Sequence, residues 1–362
     1  MAQDNEQALP SGQSAITRDA LRRNNELLKK QNVRKIELEP KYLVQMAHLT
    51  VPATVWKYIE KAVSSVANLV MLDLEDSIPR GNPEMLEFGR GNVIRAMNEL
   101  DWGRRLRFFR PRGMELDPGH EDIASVIYGA GAKIDGLVYP KVEGPEEIAS
   151  VDATLTQLET SVDLTQGSIR IEVLIESADA VELVFDIAAS SRRLVGLIFG
   201  SYDYWASLGL DSSAYRFDHP LLNFARMRIV QAAAAVGIPA IAEMTTNFPT
   251  KDKSEEQRAA AKEEFRRDAI LARDYGFAGK WTGIPDQTQL ALEVFGIDDS
   301  AIEAAVKDAR AFLEQEGAGR GAVMIEGKMA DRATDRVHRT LLKKAFALGK
   351  LEPELARELG LA

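Results

Sequence analysis

The chain has 362 residues, 45% hydrophobic and 28% charged, the composition of a soluble globular protein long enough for one large domain or two modest ones. Its 55 acidic and 45 basic side chains leave a formal net charge of −10, so no basic surplus is available to grip nucleic acid or an anionic membrane surface. The absence of cysteine removes disulfides, thiolate metal sites and thiol nucleophiles together, and His48, His120, His219 and His338 are too scattered for a histidine-built metal centre. Metal chemistry would fall to oxygen ligands, which suit magnesium or manganese.

Residues 1–17 are polar with nothing to bury and read as a disordered tail. They lack the apolar stretch of a signal peptide, and no run of about 18 apolar residues follows, so a cytoplasmic protein is expected. Asp19 to Gln31 reads as a solvated helix packed on the main domain or on a neighbouring subunit. Short apolar runs then alternate with helix-spaced segments, the signature of βα units around a parallel sheet. The strands are Leu43 to Leu49, Leu69 to Leu74, Leu106 to Phe109, Gly136 to Tyr139, Ile169 to Ile175, Val195 to Phe199, Ile238 to Ala242 and Phe277 to Thr282. Helices between them include Val55 to Ala67, Pro145 to Leu158, Ala178 to Ser190, Asn223 to Val236 and Ser254 to Tyr275.

Eight strands spread over about 240 residues predict an α/β protein with a closed (β/α)8 barrel, the TIM barrel, spanning 18–298 with its N-terminal helix. A doubly wound open sheet is the alternative, but its glycine-rich turn after the first strand is replaced by Thr50-Val51-Pro52-Ala53. Residues 299–362 form a C-terminal extension. It comprises a helix from Ala301 to Glu316, a flexible joint over Gly317-Ala318-Gly319-Arg320-Gly321, an extended piece from Ala322 to Ile325, and a basic amphipathic helix from Asp331 to Leu348. Its apolar side needs a surface, and another subunit of a homo-oligomer, a trimer or hexamer, is the expected one.

Active sites of such barrels form at the C-terminal ends of the strands. The second strand ends in Asp73-Leu74-Glu75-Asp76, the third in Arg110-Pro111-Arg112, the fourth in Lys141-Val142-Glu143, the fifth in Glu176-Ser177 and the sixth in Ser201-Tyr202-Asp203. Glu176 and Asp203, from adjacent strands, can share one hard cation and leave positions for water and substrate. Helix capping, or ion pairs with Arg110 or Lys141, is the structural alternative. Arg110 offers a planar fork for a substrate carboxylate or a developing enolate oxygen, with Lys141, Glu75 and Asp76 around it. Arg112 either meets a second substrate carboxylate or solvates the rim.

The segments Leu72-Asp73-Leu74-Glu75-Asp76-Ser77, Pro140-Lys141-Val142-Glu143-Gly144, Ile175-Glu176-Ser177-Ala178, Gly200-Ser201-Tyr202-Asp203 and Gly276-Phe277-Ala278-Gly279-Lys280-Trp281 resemble the signatures of the HpcH/HpaI aldolase and citrate lyase β-subunit-like superfamily. The tail from Val323 to Asp331 resembles the malyl-CoA and β-methylmalyl-CoA lyases in particular. The resemblance implies that Glu176 and Asp203 hold magnesium and that Arg110 meets substrate. It further implies that Asp331 acts as acid/base in a neighbouring subunit's site, that Lys61 contacts coenzyme A, and that Tyr202, Ile284 and Pro285 line the substrate pocket.

The implied reaction is reversible carbon–carbon cleavage of a short 3-hydroxyacyl-CoA, of the malyl-, methylmalyl- or citramalyl-CoA type, into an acyl-CoA and a 2-oxo acid such as glyoxylate. The partners are small molecules, not nucleic acid or membrane. Departures from the pattern are Val55 for a phosphate-binding arginine, Arg112 for asparagine, Tyr202 for glutamate, and Ile284-Pro285 without the intervening histidine. These keep two alternatives open: an aldolase of free 2-oxo acids, and a citrate lyase β-like subunit of a larger complex.

Overall fold

The computed structural model describes residues 35–79, 81–113, 119–317, 322–325 and 328–361, and the account below concerns the unit that begins at Ile36. The expected tail over 1–17, the helix over 19–31 and residues 318–321 of the glycine joint lie outside the described residues. A short helix α1 (Pro40–Leu43) precedes β1 (Ala47–Pro52), α2 (Trp56–Val63), β2 (Leu69–Asp73), α3 (Pro83–Glu99), β3 (Leu106–Arg110), α4 (Gly119–Ala130) and β4 (Gly136–Tyr139). Then come α5 (Pro145–Ser161), β5 (Arg170–Ile175), α6 (Ala178–Glu182), α7 (Val184–Ala189), β6 (Leu194–Phe199), α8 (Ser201–Ser207), α9 (Pro220–Val236) and β7 (Ala240–Ala242). The barrel ends with α10 (Glu255–Tyr275), β8 (Gly279–Thr282) and α11 (Pro285–Phe295).

The eight strands are parallel and close into a barrel, with β8 pairing back onto β1 through Ala47 and Lys280. The expected fold is therefore the observed one, with one strand misplaced. Pro40 starts a helical turn that ends at Leu43, and β1 begins four residues later and runs through Pro52, so Thr50, Val51 and Pro52 belong to the strand rather than to a turn. The apolar run that suggested Leu43 to Leu49 has no period of its own. Buried Gln45, donating to the carbonyls of Tyr42 and Val195, ties the segment between α1 and β1 beneath the barrel.

Alternate residues of each strand face the barrel interior or the surrounding helices. The interior layer includes Met71, Phe108, Val138 and Leu174, and the outer layer packs residues such as Leu72, Phe109 and Val173 against the helices. In β2 and β3 the alternation continues from Met71 and Phe108 to Asp73 and Arg110, which pair with one another at the rim.

The extension comprises α12 (Asp299–Gly317), an antiparallel hairpin of β9 (Ala322–Ile325) and β10 (Lys328–Asp331), α13 (Arg332–Ala347) and α14 (Pro353–Glu358). Its helices share a small core around Ile302, Ala309, Leu342, Ala345 and Leu359. Leu341 of α13 and Leu348 at its C-terminal end also line a cleft with Leu43, Val44, Phe277 and Ala278, which lie just ahead of β1 and β8. Part of the extension's apolar side is thus buried within its own chain, while Met324, Met329 and Val337 stay exposed. No helix among the described residues is long and apolar enough to cross a membrane.

Inside the barrel, His48 Nδ1 lies 3.4 Å from Glu172 Oε2, and both side chains are fully buried. Burial pushes the Glu172 carboxyl up to about 8 and the His48 imidazole down to about 3, so an uncharged acid faces an uncharged imidazole at neutral pH. Because the folded value of Glu172 exceeds its ordinary value of 4.5, its contribution to stability is full below 4.5 and is lost as pH rises towards about 8. Glu172→Gln, which keeps the shape and cannot ionise, should remove that loss: the wild-type Tm falls relative to the variant's between these pH values. Parallel curves of Tm against pH would refute it.

Candidate active site

The C-terminal ends of β2 to β6 bring five carboxylates and two cations to one rim. Arg110, the last residue of β3, is 3% exposed and needs compensation for that burial. Its Nε donates to Asp73 Oδ1 at 2.7 Å, and its Nη1 lies 3.0 Å from Glu75 Oε2 and 3.3 Å from Asp76 Oδ2. Burial opposes the Arg110 charge, but these three acids raise its pKa and hold it protonated. Its guanidinium also lies over the Trp281 ring, 5.4 Å from the centroid. Asp73 accepts from the backbone N–H groups of Glu75 and Ser77, each at 3.0 Å, which turns the chain after β2 back over the barrel. Burial raises the Asp73 carboxyl, yet Arg110 and these hydrogen bonds bring it below its ordinary value.

Lys141 follows β4 with φ 49°, the left-handed region that lysine rarely adopts. That conformation lets one residue serve two neighbours: its backbone N–H donates to Glu176 Oε1 at 2.7 Å, and its Nζ donates to Glu75 Oε1 at 2.6 Å. Glu176, just beyond β5, is 5% exposed. Burial, then the negative charges of Glu75 and Asp203, push its carboxyl up to about 7, only partly opposed by Lys141. The position between β6 and α8 must be glycine, since a Cβ on Gly200 would lie 2.5 Å from Glu176 Cβ and 2.6 Å from its Oε2. Asp203 sits in the first turn of α8, exposed and without an ion-pair partner among the described residues.

Ion pairing and capping therefore do not account for Glu176 and Asp203. Arg110 and Lys141 are engaged by Asp73, Glu75 and Asp76, and Ser177, not Glu176, caps α6 by accepting from Ala180 N–H at 3.0 Å. Two buried or rim carboxylates that repel each other, one with an oxygen held open by a glycine, fit a hard cation. Among the described residues no three acidic or histidine side chains gather as a metal cage, so two protein ligands with water and substrate completing the sphere is the arrangement these residues allow. Of the histidines, His48 is buried beside Glu172, His219 caps α9, His338 lies 3.5 Å from Asp308, and His120 is exposed in the first turn of α4.

The other expected residues are placed as follows. Tyr202 is half exposed on α8, stacked on Tyr215 with centroids 4.2 Å apart, and its hydroxyl is 2.9 Å from Thr246 Oγ1 in the segment after β7. Ile284 is the N-cap of α11 and Pro285 its first residue, both beyond β8 at the same end of the barrel. Lys61 is exposed in the last turn of α2, with no side-chain hydrogen bond or ion pair among the described residues. Arg112 grips fully buried Asp122, its Nε and Nη2 each at 2.9 Å, beside Arg90, and lines the cavity next to Glu75 and Asp76. Asp331 caps α13, its Oδ1 accepting from the N–H groups of Thr334 at 3.0 Å and Ala333 at 2.9 Å, which lowers its pKa.

Sequence reasoning assigned no roles to Asp73, Trp281, Gly200 or Thr246. Asp73 was legible as the inward partner of Arg110 at the same strand level; the others depend on contacts between distant segments.

The model of the HpcH/HpaI aldolase/citrate lyase family matches residues 47–282, which is the barrel. An L-malyl-CoA/β-methylmalyl-CoA lyase of Cereibacter sphaeroides is 30% identical over 300 residues, covering 79% of this chain and 90% of that protein. In structure, a citrate lyase of Burkholderia xenovorans has a TM-score of 0.70 at 21% identity, covering 89% of this chain and 99% of its own. The Mycobacterium tuberculosis protein CitE, solved with magnesium, acetoacetate and coenzyme A, has a TM-score of 0.60 at 22% identity, covering 84% and 98%. A family match over the whole barrel, and a relative matched across most of both chains, lead to one conclusion: the chain belongs to the HpcH/HpaI aldolase/citrate lyase family and is a carbon–carbon lyase.

Proposed function

We propose that the protein is a magnesium-dependent lyase that reversibly splits a short 3-hydroxyacyl-CoA, of the malyl-, methylmalyl- or citramalyl-CoA type, into an acyl-CoA and a 2-oxo acid such as glyoxylate. The observation that carries this reading is the pair of carboxylates, Glu176 and Asp203, left without a salt-bridge partner among the described residues beside an Arg110 that Asp73, Glu75 and Asp76 already neutralise. The names of the relatives, and the magnesium and coenzyme A of the CitE complex, support the substrate class.

Bound by Glu176 and Asp203, magnesium would supply Lewis-acid polarisation of the 2-oxo acid carbonyl. Arg110 presents a guanidinium fixed by Asp73 and Trp281, with Nη2 making no hydrogen bond among the described residues. A donor held in place stabilises an enolate oxygen without reorganising, so its hydrogen bonds strengthen as charge develops. In the direction of synthesis Asp331 takes the proton from the carbon beside the thioester carbonyl, and that carbon attacks the 2-oxo acid; cleavage is the reverse. Tyr202, Ile284 and Pro285 wall the pocket. A cavity of about 730 Å3 lined by Glu75, Asp76, Ile78, Leu86 and Arg112 adjoins the rim and has room for the thioester arm. The exposed ammonium of Lys61 is available to the phosphates of coenzyme A.

Asp331 serves a neighbouring subunit in a homo-oligomer, a trimer or hexamer. In support, α13 packs beside the residues that enter β1 and β8, at the end opposite Glu176, and no hydrogen bond or ion pair among the described residues links Asp331 to the rim. As a solvated cap it is a weak base; transfer into a dry pocket would raise its basicity.

Two outcomes are expected. Calorimetric titration with magnesium should show affinity falling as pH drops through about 7, because Glu176 must lose its proton to bind, and Glu176→Gln should abolish both binding and turnover. Unchanged affinity across that range, or activity in the variant, would contradict the site. Co-expressed Asp331→Asn and Glu176→Gln chains, each inactive alone, should recover activity in mixed oligomers; mixed oligomers without activity would place Asp331 in its own chain's site, and an active Asp331→Asn chain would place it outside catalysis. Assaying free against thioesterified hydroxy acids tells the lyase from a free-acid aldolase.

A further inference from the structure

At the end of the barrel opposite the rim lie two adjoining clefts. One, of about 410 Å3, runs between α13 and the segments leading into β1 and β8; the other, of about 300 Å3, shares Val44 and Leu348 with it and reaches Asn68 and Leu106. No acidic side chain lines either, in a chain with 55 of them, whereas Lys41, Arg104, Arg105, Arg273 and Lys344 do. Lys41 is matched by Asp135 at 2.9 Å and Arg273 by Asp274 at 3.2 Å. The remaining three meet no carboxylate among the described residues. Arg104 Nη2 donates to the Ala347 carbonyl at 3.2 Å, and Arg105 donates to the carbonyls of Ser65, at 2.6 Å from Nε, and Trp102, at 3.3 Å from Nη1. The Lys344 side chain has no hydrogen-bond or ion-pair partner among the described residues, and burial lowers its pKa. A half-buried ammonium without a counter-charge is costly unless something supplies one. The walls around it, Leu43, Phe277, Val294, Phe295, Leu341 and Leu348, are apolar.

We propose that these clefts bind an organic anion with an apolar body, a carboxylate or a phosphate monoester, whose anionic end meets Lys344 in the positive field of Arg104 and Arg105. Ligands of this kind combine an apolar wall with a few placed polar groups. Because α13 begins at Asp331, an occupant that ties the helix to the barrel also restrains that aspartate; this consequence rests on the proposed role of Asp331, whereas the binding does not.

The test is calorimetric titration of the full-length protein, without magnesium or substrate, using octanoate, octyl phosphate, inorganic phosphate and neutral octanamide. Saturable binding of octanoate or octyl phosphate near one per chain is expected, with octanamide and inorganic phosphate much weaker. Lys344→Met should weaken it by about tenfold or more, the scale of a charge-assisted contact. The variant's Tm should equal or exceed the wild type's, since an unpaired buried charge is removed. Should it misfold, Arg105→Gln must weaken binding in the same direction. The proposal is overturned if neither anion saturates, if octanamide binds as well, or if a folded Lys344 or Arg105 variant binds unchanged.

Discussion

The ion-pair cluster around Arg110 is the constraint on which the rest of the site depends. A guanidinium buried at the mouth of a barrel has to be matched by carboxylates held nearby, and Asp73, Glu75 and Asp76 do so from one short segment after β2. Lys141 joins through Glu75. Two cations thereby absorb three acids, and Glu176 and Asp203 remain without a salt-bridge partner among the described residues, Glu176 only partly offset by Lys141. Had Arg110 paired with Glu176, the same seven residues would have made an inert salt-bridge network with no vacancy for a cation.

Backbone geometry enforces this allocation. The left-handed conformation of Lys141 turns its N–H, rather than its ammonium, toward Glu176. Glycine at 200 leaves space for the Glu176 carboxylate against β6, where any side chain would collide with it. Strained or glycine-dependent backbone at a strand end has a cost in stability, so its concentration at these two positions is more consistent with chemistry than with packing alone.

At the other end of the barrel the logic is reversed. The extension packs its helices together and against the entry to β1 and β8, which leaves the hairpin with Met324 and Met329 exposed and Asp331 occupied as a cap. An aspartate that satisfies two backbone N–H groups is held in its charged form, suited to ending a hairpin and starting a helix.

The closed barrel was legible in the sequence because parallel strands buried on both faces give apolar runs of strand length at regular spacing, and their last residues are where charge reappears. Glu75, Arg110, Lys141, Glu176 and Asp203 could be picked out for that reason, each a charged residue within a few positions of the end of an apolar run. The start of β1 was misread because Leu43 to Leu49 is apolar whether it is helix, connection or strand, and Pro40 with buried Gln45 decides between them only through contacts made far along the chain. Which acid neutralises which base, that Arg112 serves Asp122, and that Lys344 lines a largely apolar cleft were decided by the tertiary structure alone. Local sequence determines where a charge leaves a strand, but its partner is chosen by distances across the barrel that no local pattern encodes.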